Sequence, residues 1–211
     1  MVNAFESFEK KMLSLDDFVK WTMEYMNDGY SFLGNHSRTV ATVSIAILDK
    51  LGINGQDKEI MKYAALLHDI GKLYIPKAIL LAPRRLSYKE FEIIKDHPAI
   101  GFRKLSHIEA LTNINPLILY HHYRRGFGYP EDPETENVPA PDPILTDILT
   151  VADAYSAIRE KRIYNISNIE HSDAVKILKD EKEIKNKGIN QEIVDVLKKI
   201  SSLENTLKFE F

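Results

Sequence analysis

No cysteine occurs among the 211 residues, which excludes disulfides and thiolate ligands, so any metal must be held by nitrogen and oxygen. A reducing compartment fits that composition. Long apolar runs are missing too. The longest, such as Ile79-Leu80-Leu81-Ala82 and Pro116-Leu117-Ile118-Leu119-Tyr120, are far too short to span a bilayer. The start of the chain mixes Glu6 and Glu9 with Lys10 and Lys11 and lacks the apolar stretch of a signal peptide. The expected address is the cytoplasm, with no membrane partner. An excess of positive charge is also absent. A formal charge of -3 and a pI near 6.2 argue against a nucleic-acid polymer as partner and leave room for a small anionic ligand held by metals. No Gly/Ser/Pro-rich linker, repeat or low-complexity stretch divides the chain. With 44% hydrophobic and 28% charged residues, it reads as one globular domain.

What is present is helical periodicity. After the capping signal Ser14-Leu15-Asp16-Asp17, Phe18, Trp21, Tyr25 and Met26 share a face. A second helix is predicted from His36 to Leu51, with Val40, Val43 and Ile47 on its buried stripe, His36 in its first turn and Gly52 as its stop. A third runs from Lys58 to a C-terminal end at His68-Asp69. Ser87-Tyr88-Lys89-Glu90 is a capping box for a helix that ends at His97-Pro98. Pro143 opens another after Asp142, and Ile144, Ile148, Val151 and Tyr155 line it, with Asp153 well inside. Two more are predicted from Ser172 to Lys182 and from Asn190 to about Leu203, capped by Ser172 and Asn190. The fold class is all-α, with a long loop between His122 and Pro143 rich in glycine and proline. Loops of this kind tend to form lids or walls of sites.

Five of the seven histidines fall in short motifs: His36-Ser37-Arg38, His68-Asp69, Asp96-His97-Pro98 and His121-His122. His68-Asp69 offers an imidazole and a carboxylate from one helix end, and that carboxylate can bridge two cations. His121 and His122, leaving a helix into a loop, can converge on one ion. Asp153, flanked by Val151, Ala152 and Ala154, is costly to bury without a cation. A place on the polar face of an amphipathic helix is the other reading of it. His107 and His171 lack acidic or histidine neighbours and read as surface residues. Lys72, just after Gly71, is either a solvated helix-end cation or a phosphate contact. Imidazole and carboxylate in this ratio suit hydrolytic metals.

The order His, His-Asp, His, His-His, Asp resembles the HD superfamily of metal-dependent phosphohydrolases, and specifically its HD-GYP branch, which hydrolyses cyclic dinucleotides. The block Ala64-Ala65-Leu66-Leu67-His68-Asp69-Ile70-Gly71-Lys72-Leu73-Tyr74-Ile75-Pro76 carries it, with His97-Pro98-Ala99-Ile100-Gly101 and Gly128-Tyr129-Pro130. The similarity runs from about Asn35 to Val196. It implies a helical support segment over 1–35 and a catalytic HD domain over 36–211. It further implies one metal on His36, His68, Asp69 and Asp153, and a second on Asp69, His97, His121 and His122. Iron or manganese is expected, without an organic cofactor. Asp69 and Lys72 are the expected catalytic residues, acting with a metal-activated hydroxide. Lys72, Arg162, Tyr129, Arg124 and Arg125 are the expected substrate contacts. The implied substrate is cyclic di-GMP, opened to pGpG, with further cleavage to GMP left open and cyclic GMP-AMP as a substitute.

Several positions depart from that family's pattern. Members with three metals carry a glutamate four residues before the first ligand histidine, where this chain has Phe32, so two metals are expected. The loop after His121-His122 is one residue shorter than the family pattern and lacks its Glu and Asp. Ser156 replaces a second aspartate, Asn165 a basic residue and Thr39 an arginine. Two other readings follow: a cyclic-dinucleotide sensor with impaired turnover, and an HD nucleotidase acting on mononucleotides.

Overall fold

A capping box starts the first helix. Ser14 Oγ accepts from Asp17 N at 3.1 Å, and Asp17 Oδ2 accepts from Ser14 N at 3.2 Å, pairing two amides that a helix start otherwise leaves free. The computed structural model describes residues 14–124, 127–130, 138, 141–160, 169–180 and 188–200, with the side chains of Arg124 and Phe127 excepted. In it this helix, α1, runs Leu15–Leu51. The sequence pattern predicts two helices here, and the structure has two helical stretches that follow one another across a kink. Tyr30 (φ -151°, ψ 49°) is the non-helical residue between them, and Tyr30 and Leu33 stay packed in the same core as Met26 and Val40. His36 therefore lies in a helix interior rather than in a first turn. Gly52, at φ 73°, closes α1 in the left-handed conformation that glycine adopts without strain.

α2 (Gln56–Leu67) packs along α1 and passes through His68 and Asp69 into a 3-10 turn, Ile70–Tyr74. After α3 (Lys77–Leu80), α4 (Tyr88–Lys95) carries the predicted capping box, Ser87 Oγ accepting from Glu90 N at 3.3 Å and Glu90 Oε2 accepting from Ser87 N at 2.8 Å. α5 (His97–Leu105) follows at once with Pro98 in its first turn, and α6 (Asn115–Tyr120) ends at His121. A small antiparallel ribbon comes next, β1 (Tyr123–Arg124) against β2 (Phe127–Gly128), the only strands among the described residues. It leaves the molecule all-α in its layers.

α7 (Pro143–Arg159) begins as predicted, with Asp142 Oδ1 accepting from Ile144 N at 2.9 Å. α8 (His171–Lys179) starts earlier than the pattern suggests: Glu170, not Ser172, is its N-cap. His171, its first residue, shares a 2.8 Å hydrogen bond with Tyr155 of α7. Asn190 caps α9 (Gln191–Lys198) as expected, accepting from Glu192 N at 3.0 Å; α8 and α9 end at Lys179 and Lys198, with Asp180 and Lys199 as C-caps, short of the predicted Lys182 and Leu203. One core joins Met23, Leu33 and Ile47 of α1 to Leu67 of α2, Ile118 of α6, Ile148 of α7, Leu178 of α8 and Val194 of α9. No helix among the described residues is long and apolar enough to cross a membrane.

One close approach positions the site. A Cβ on Gly71 would lie 1.9 Å from the His97 carbonyl oxygen and 2.8 Å from Gly101 N, and one on Gly101 would meet Ile118 Cγ2 at 3.2 Å. Only with glycine at position 71 does the turn after Asp69 pack this closely against the start of α5, next to His97. Gly71→Ala is accordingly expected to destabilise the fold by about 3 kcal/mol or more. Gly29→Ala, whose Cβ meets nothing within 4 Å, should be neutral or stabilising by about 0.5–1 kcal/mol. Urea unfolding midpoints decide it; equal midpoints for the two variants would contradict the role given to Gly71.

Candidate metal centre

Three helix ends solve the same local problem in the same way. The last carbonyls of a helix have no amide partner. At the end of α2, His68 Nδ1 donates to Ala65 O at 2.8 Å; past the end of α4, His97 Nδ1 donates to Ile94 O at 2.8 Å; at the end of α6, His121 Nδ1 donates to Ile118 O at 2.7 Å. A carbonyl only accepts, so each Nδ1 must carry the proton, and in the neutral ring each Nε2 is a bare lone pair. Those lone pairs converge. His97 Nε2 and His121 Nε2 are 3.2 Å apart, and the buried His68 Nε2 has no hydrogen-bond partner. Nitrogens placed in this way, with Nδ1 held by a backbone carbonyl, are set to act as ligands for a cation lying between them.

Asp69 stands in the middle. Its Oδ1 is 3.1 Å from His97 Nε2 and 4.0 Å from His121 Nε2, and it accepts no hydrogen bond in that position. Its Oδ2 faces the other way, 3.5 Å from His68 Nε2, 3.8 Å from His36 Nε2 and 2.6 Å from Lys72 Nζ. Asp153 Oδ1 is 3.0 Å from His36 Nε2 and 3.9 Å from His68 Nε2, and its Oδ2 is 3.6 Å from His122 Nδ1. Two groups of ligand-type atoms result, His36 with His68 and Asp153, and His97 with His121 and His122; His68, Asp69 and His121 form a third set between them. All seven residues expected to hold metal are thus brought together, and the donor set fits cations bound by nitrogen and oxygen.

The electrostatics follow from burial and from these neighbours. Burial alone would raise the Asp69 carboxyl, but Lys72, His68 and His97 outweigh it and hold the group well below the usual range. Asp153 is likewise pushed up by burial and pulled further down by His36 and His122. Burial depresses His68, and burial with neighbouring imidazoles takes His121 and His122 well below 6.5. His36 goes the opposite way: burial opposes its charge, yet Asp153 and Glu160 raise it to about 10. Neutral imidazoles therefore face an imidazolium and two carboxylates.

Other expected residues fall into place unevenly. Lys72 lies in the site, bonded to Asp69. Tyr129 rests on His122, ring centroids 4.5 Å apart, with its amide donating to His122 O at 3.3 Å. Gly128 permits this at φ +92°, and a Cβ there would sit 1.9 Å from His122 O. Arg124 contributes its backbone to β1, while its side chain, Arg125 and Arg162 lie outside the described residues. His107 is exposed as expected. His171 is not an ordinary surface residue: it is half-buried and hydrogen-bonded to Tyr155, which accepts from Arg159 at 3.0 Å. Sequence reasoning missed that contact across 16 residues, and it missed Glu160, which no motif marks.

A family model described as HD domain matches residues 20–185. The chain belongs to the HD domain family. This HD protein is 32% identical over 167 residues to the cyclic di-GMP phosphodiesterase response regulator RpfG of Xanthomonas campestris, covering 77% of this chain and 41% of that one. It is 31% identical over 134 residues to the 3'3'-cGAMP-specific phosphodiesterase 3 of Vibrio cholerae, covering 63% of this chain and 28% of that one. It spans less than half the length of these curated relatives, and the similarity supports its place in the HD-GYP branch. The HD domain of the L. monocytogenes phosphodiesterase PgpH, solved in complex with cyclic-di-AMP, shares the fold, with a TM-score of 0.57 at 18% identity over 84% of this chain and 91% of that one.

Because His36 keeps its proton up to about 10 in the metal-free protein, a cation entering at neutral pH must expel it, and metal affinity should rise with pH. The raised value also means that metal-free stability contributed by His36 is complete below about 6.5 and fades as pH climbs towards 10. Calorimetric titration of the HD domain with Mn(II) in buffers of different ionisation heat measures the proton release. Binding without proton release at pH 7 would contradict the charge state assigned to His36.

Proposed function

We propose that the chain is a metal-dependent phosphodiesterase acting on a cyclic dinucleotide, with cyclic di-GMP preferred over cyclic GMP-AMP and pGpG as the first product. The observation that carries this reading is Asp69, whose two oxygens face two separate sets of imidazoles, as a two-metal phosphodiesterase requires. The names of relatives acting on cyclic di-GMP and cGAMP support the substrate class. Two divalent cations, iron or manganese by donor type, would supply an activated water and neutralise charge developing on the phosphate.

The chain's own residues do the rest. Asp69 spans the two groups, with His36, His68 and Asp153 on one side and His97, His121 and His122 on the other. Lys72 Nζ, 2.6 Å from Asp69 Oδ2 with a side chain 20% exposed, reaches from the buried carboxylate to the mouth, where it meets a non-bridging phosphate oxygen. Tyr129 covers His122 and offers its other side to a base, and Arg124, Arg125 and Arg162 complete the grip on the nucleotide in this reading. Water has little access to the histidines behind, since His68, His97 and His121 are wholly buried.

Anaerobic turnover of cyclic di-GMP, cyclic GMP-AMP and pGpG by protein loaded with Fe(II) or Mn(II) tests the proposal. Linear product should appear only with metal, and Lys72→Ala should keep the metal while slowing turnover roughly 100- to 1000-fold. Bound metal and bound dinucleotide without product would make the protein a sensor instead; cleavage of mononucleotides alone would make it a nucleotidase.

A further inference from the structure

His36 is the exception among the buried imidazoles. His68, His97 and His121 each spend Nδ1 on a carbonyl freed by a helix end. His36 lies inside α1, where the carbonyls within reach already accept the amides four residues on. Its Nδ1 needs an acceptor from elsewhere, and Glu160 supplies one at 2.5 Å.

The acceptor comes from a specific place. Glu160 is the C-cap of α7, its amide donating to Ser156 O at 2.9 Å. Asp153 lies seven residues earlier, two helical turns away and on the same face. α7 therefore holds the His36 ring from both ends: Asp153 Oδ1 at Nε2 (3.0 Å) and Glu160 Oε1 at Nδ1 (2.5 Å). Asp153 is wholly inside, while the Glu160 side chain is 35% exposed and approaches no other imidazole of the cluster among the described residues.

We infer that Glu160 is a positioning residue for His36, holding Nδ1–H so that Nε2 is aimed at the space shared with His68, Asp69 and Asp153. The inference rests on the reading of His36 as a metal ligand. A carboxylate behind a ligating imidazole fixes its tautomer and ring angle and makes the metal-facing nitrogen more basic; losing such a partner typically weakens metal binding roughly 10- to 100-fold. Glu160 has no part in holding the His97, His121 and His122 group, so its effect is confined to one of the two ions.

Mn(II) binding to the full chain, followed by competition with a chelating dye, tests this in wild type, Glu160→Ala and Glu160→Gln, with helix content and thermal midpoint checking that each variant folds. Glu160→Ala should weaken one Mn(II) roughly 10- to 100-fold and leave the other unchanged, and Glu160→Gln, which keeps an acceptor oxygen, should recover much of the loss. Imidazole nitrogen NMR of the metal-free protein gives a second readout: the His36 Nδ1–H signal should be strongly shifted downfield in wild type and lose that shift in Glu160→Ala. Unchanged Mn(II) affinities, an equal loss in both variants, or an unmoved Nδ1–H signal would each overturn the role of Glu160 alone. A wild-type chain that takes up no Mn(II) would sink the metal reading and this inference together.

Discussion

A carboxylate with no access to water sets the terms for everything around it. Asp69 is wholly buried, and an ion moved from water into a protein interior loses several kcal/mol of hydration unless other charges replace it. Lys72 supplies one compensating charge at 2.6 Å. Near the other oxygen, His121 is held neutral by burial and by its imidazole neighbours, so it compensates the carboxylate only through a cation. The site is thus stable as a set of ligands and poorly satisfied as a set of side chains, the electrostatic mark of a place built for something else to enter.

The helical scaffold explains how such a set is held. A helix end offers free carbonyls, and a histidine placed just beyond it can occupy one with Nδ1 while facing away with Nε2. Three helices use this device, at Ala65, Ile94 and Ile118, so three rings are oriented by backbone three residues away. Bringing the ends together is then a matter of packing. The contact between Gly71 and the start of α5 draws Asp69 to His97, and the shared core of α1, α2 and α7 delivers His36 and Asp153 to the same point.

Much of this was legible in the chain, for a physical reason. Helix caps are local, so Ser14, Ser87, Asp142 and Asn190 could be read from a few neighbours. The clustered His and Asp motifs were legible because few structural roles use those residues next to one another. What was not legible depends on contacts across the fold. The kink of α1 at Tyr30 lies between stretches packed into one core, the Tyr155–His171 bond joins α7 to α8, and His36 and Glu160 meet across 124 residues of sequence. A lone glutamate at a helix end carries no local signal of that kind.

The central claim is that Asp69 bridges two cations. Anomalous diffraction from crystals soaked in Mn(II) tests it most directly. The account predicts two peaks roughly 3.5–4 Å apart, one beside each Asp69 oxygen, the first among His36, His68 and Asp153 and the second among His97, His121 and His122. A single peak, or two peaks that share no Asp69 oxygen, would contradict it.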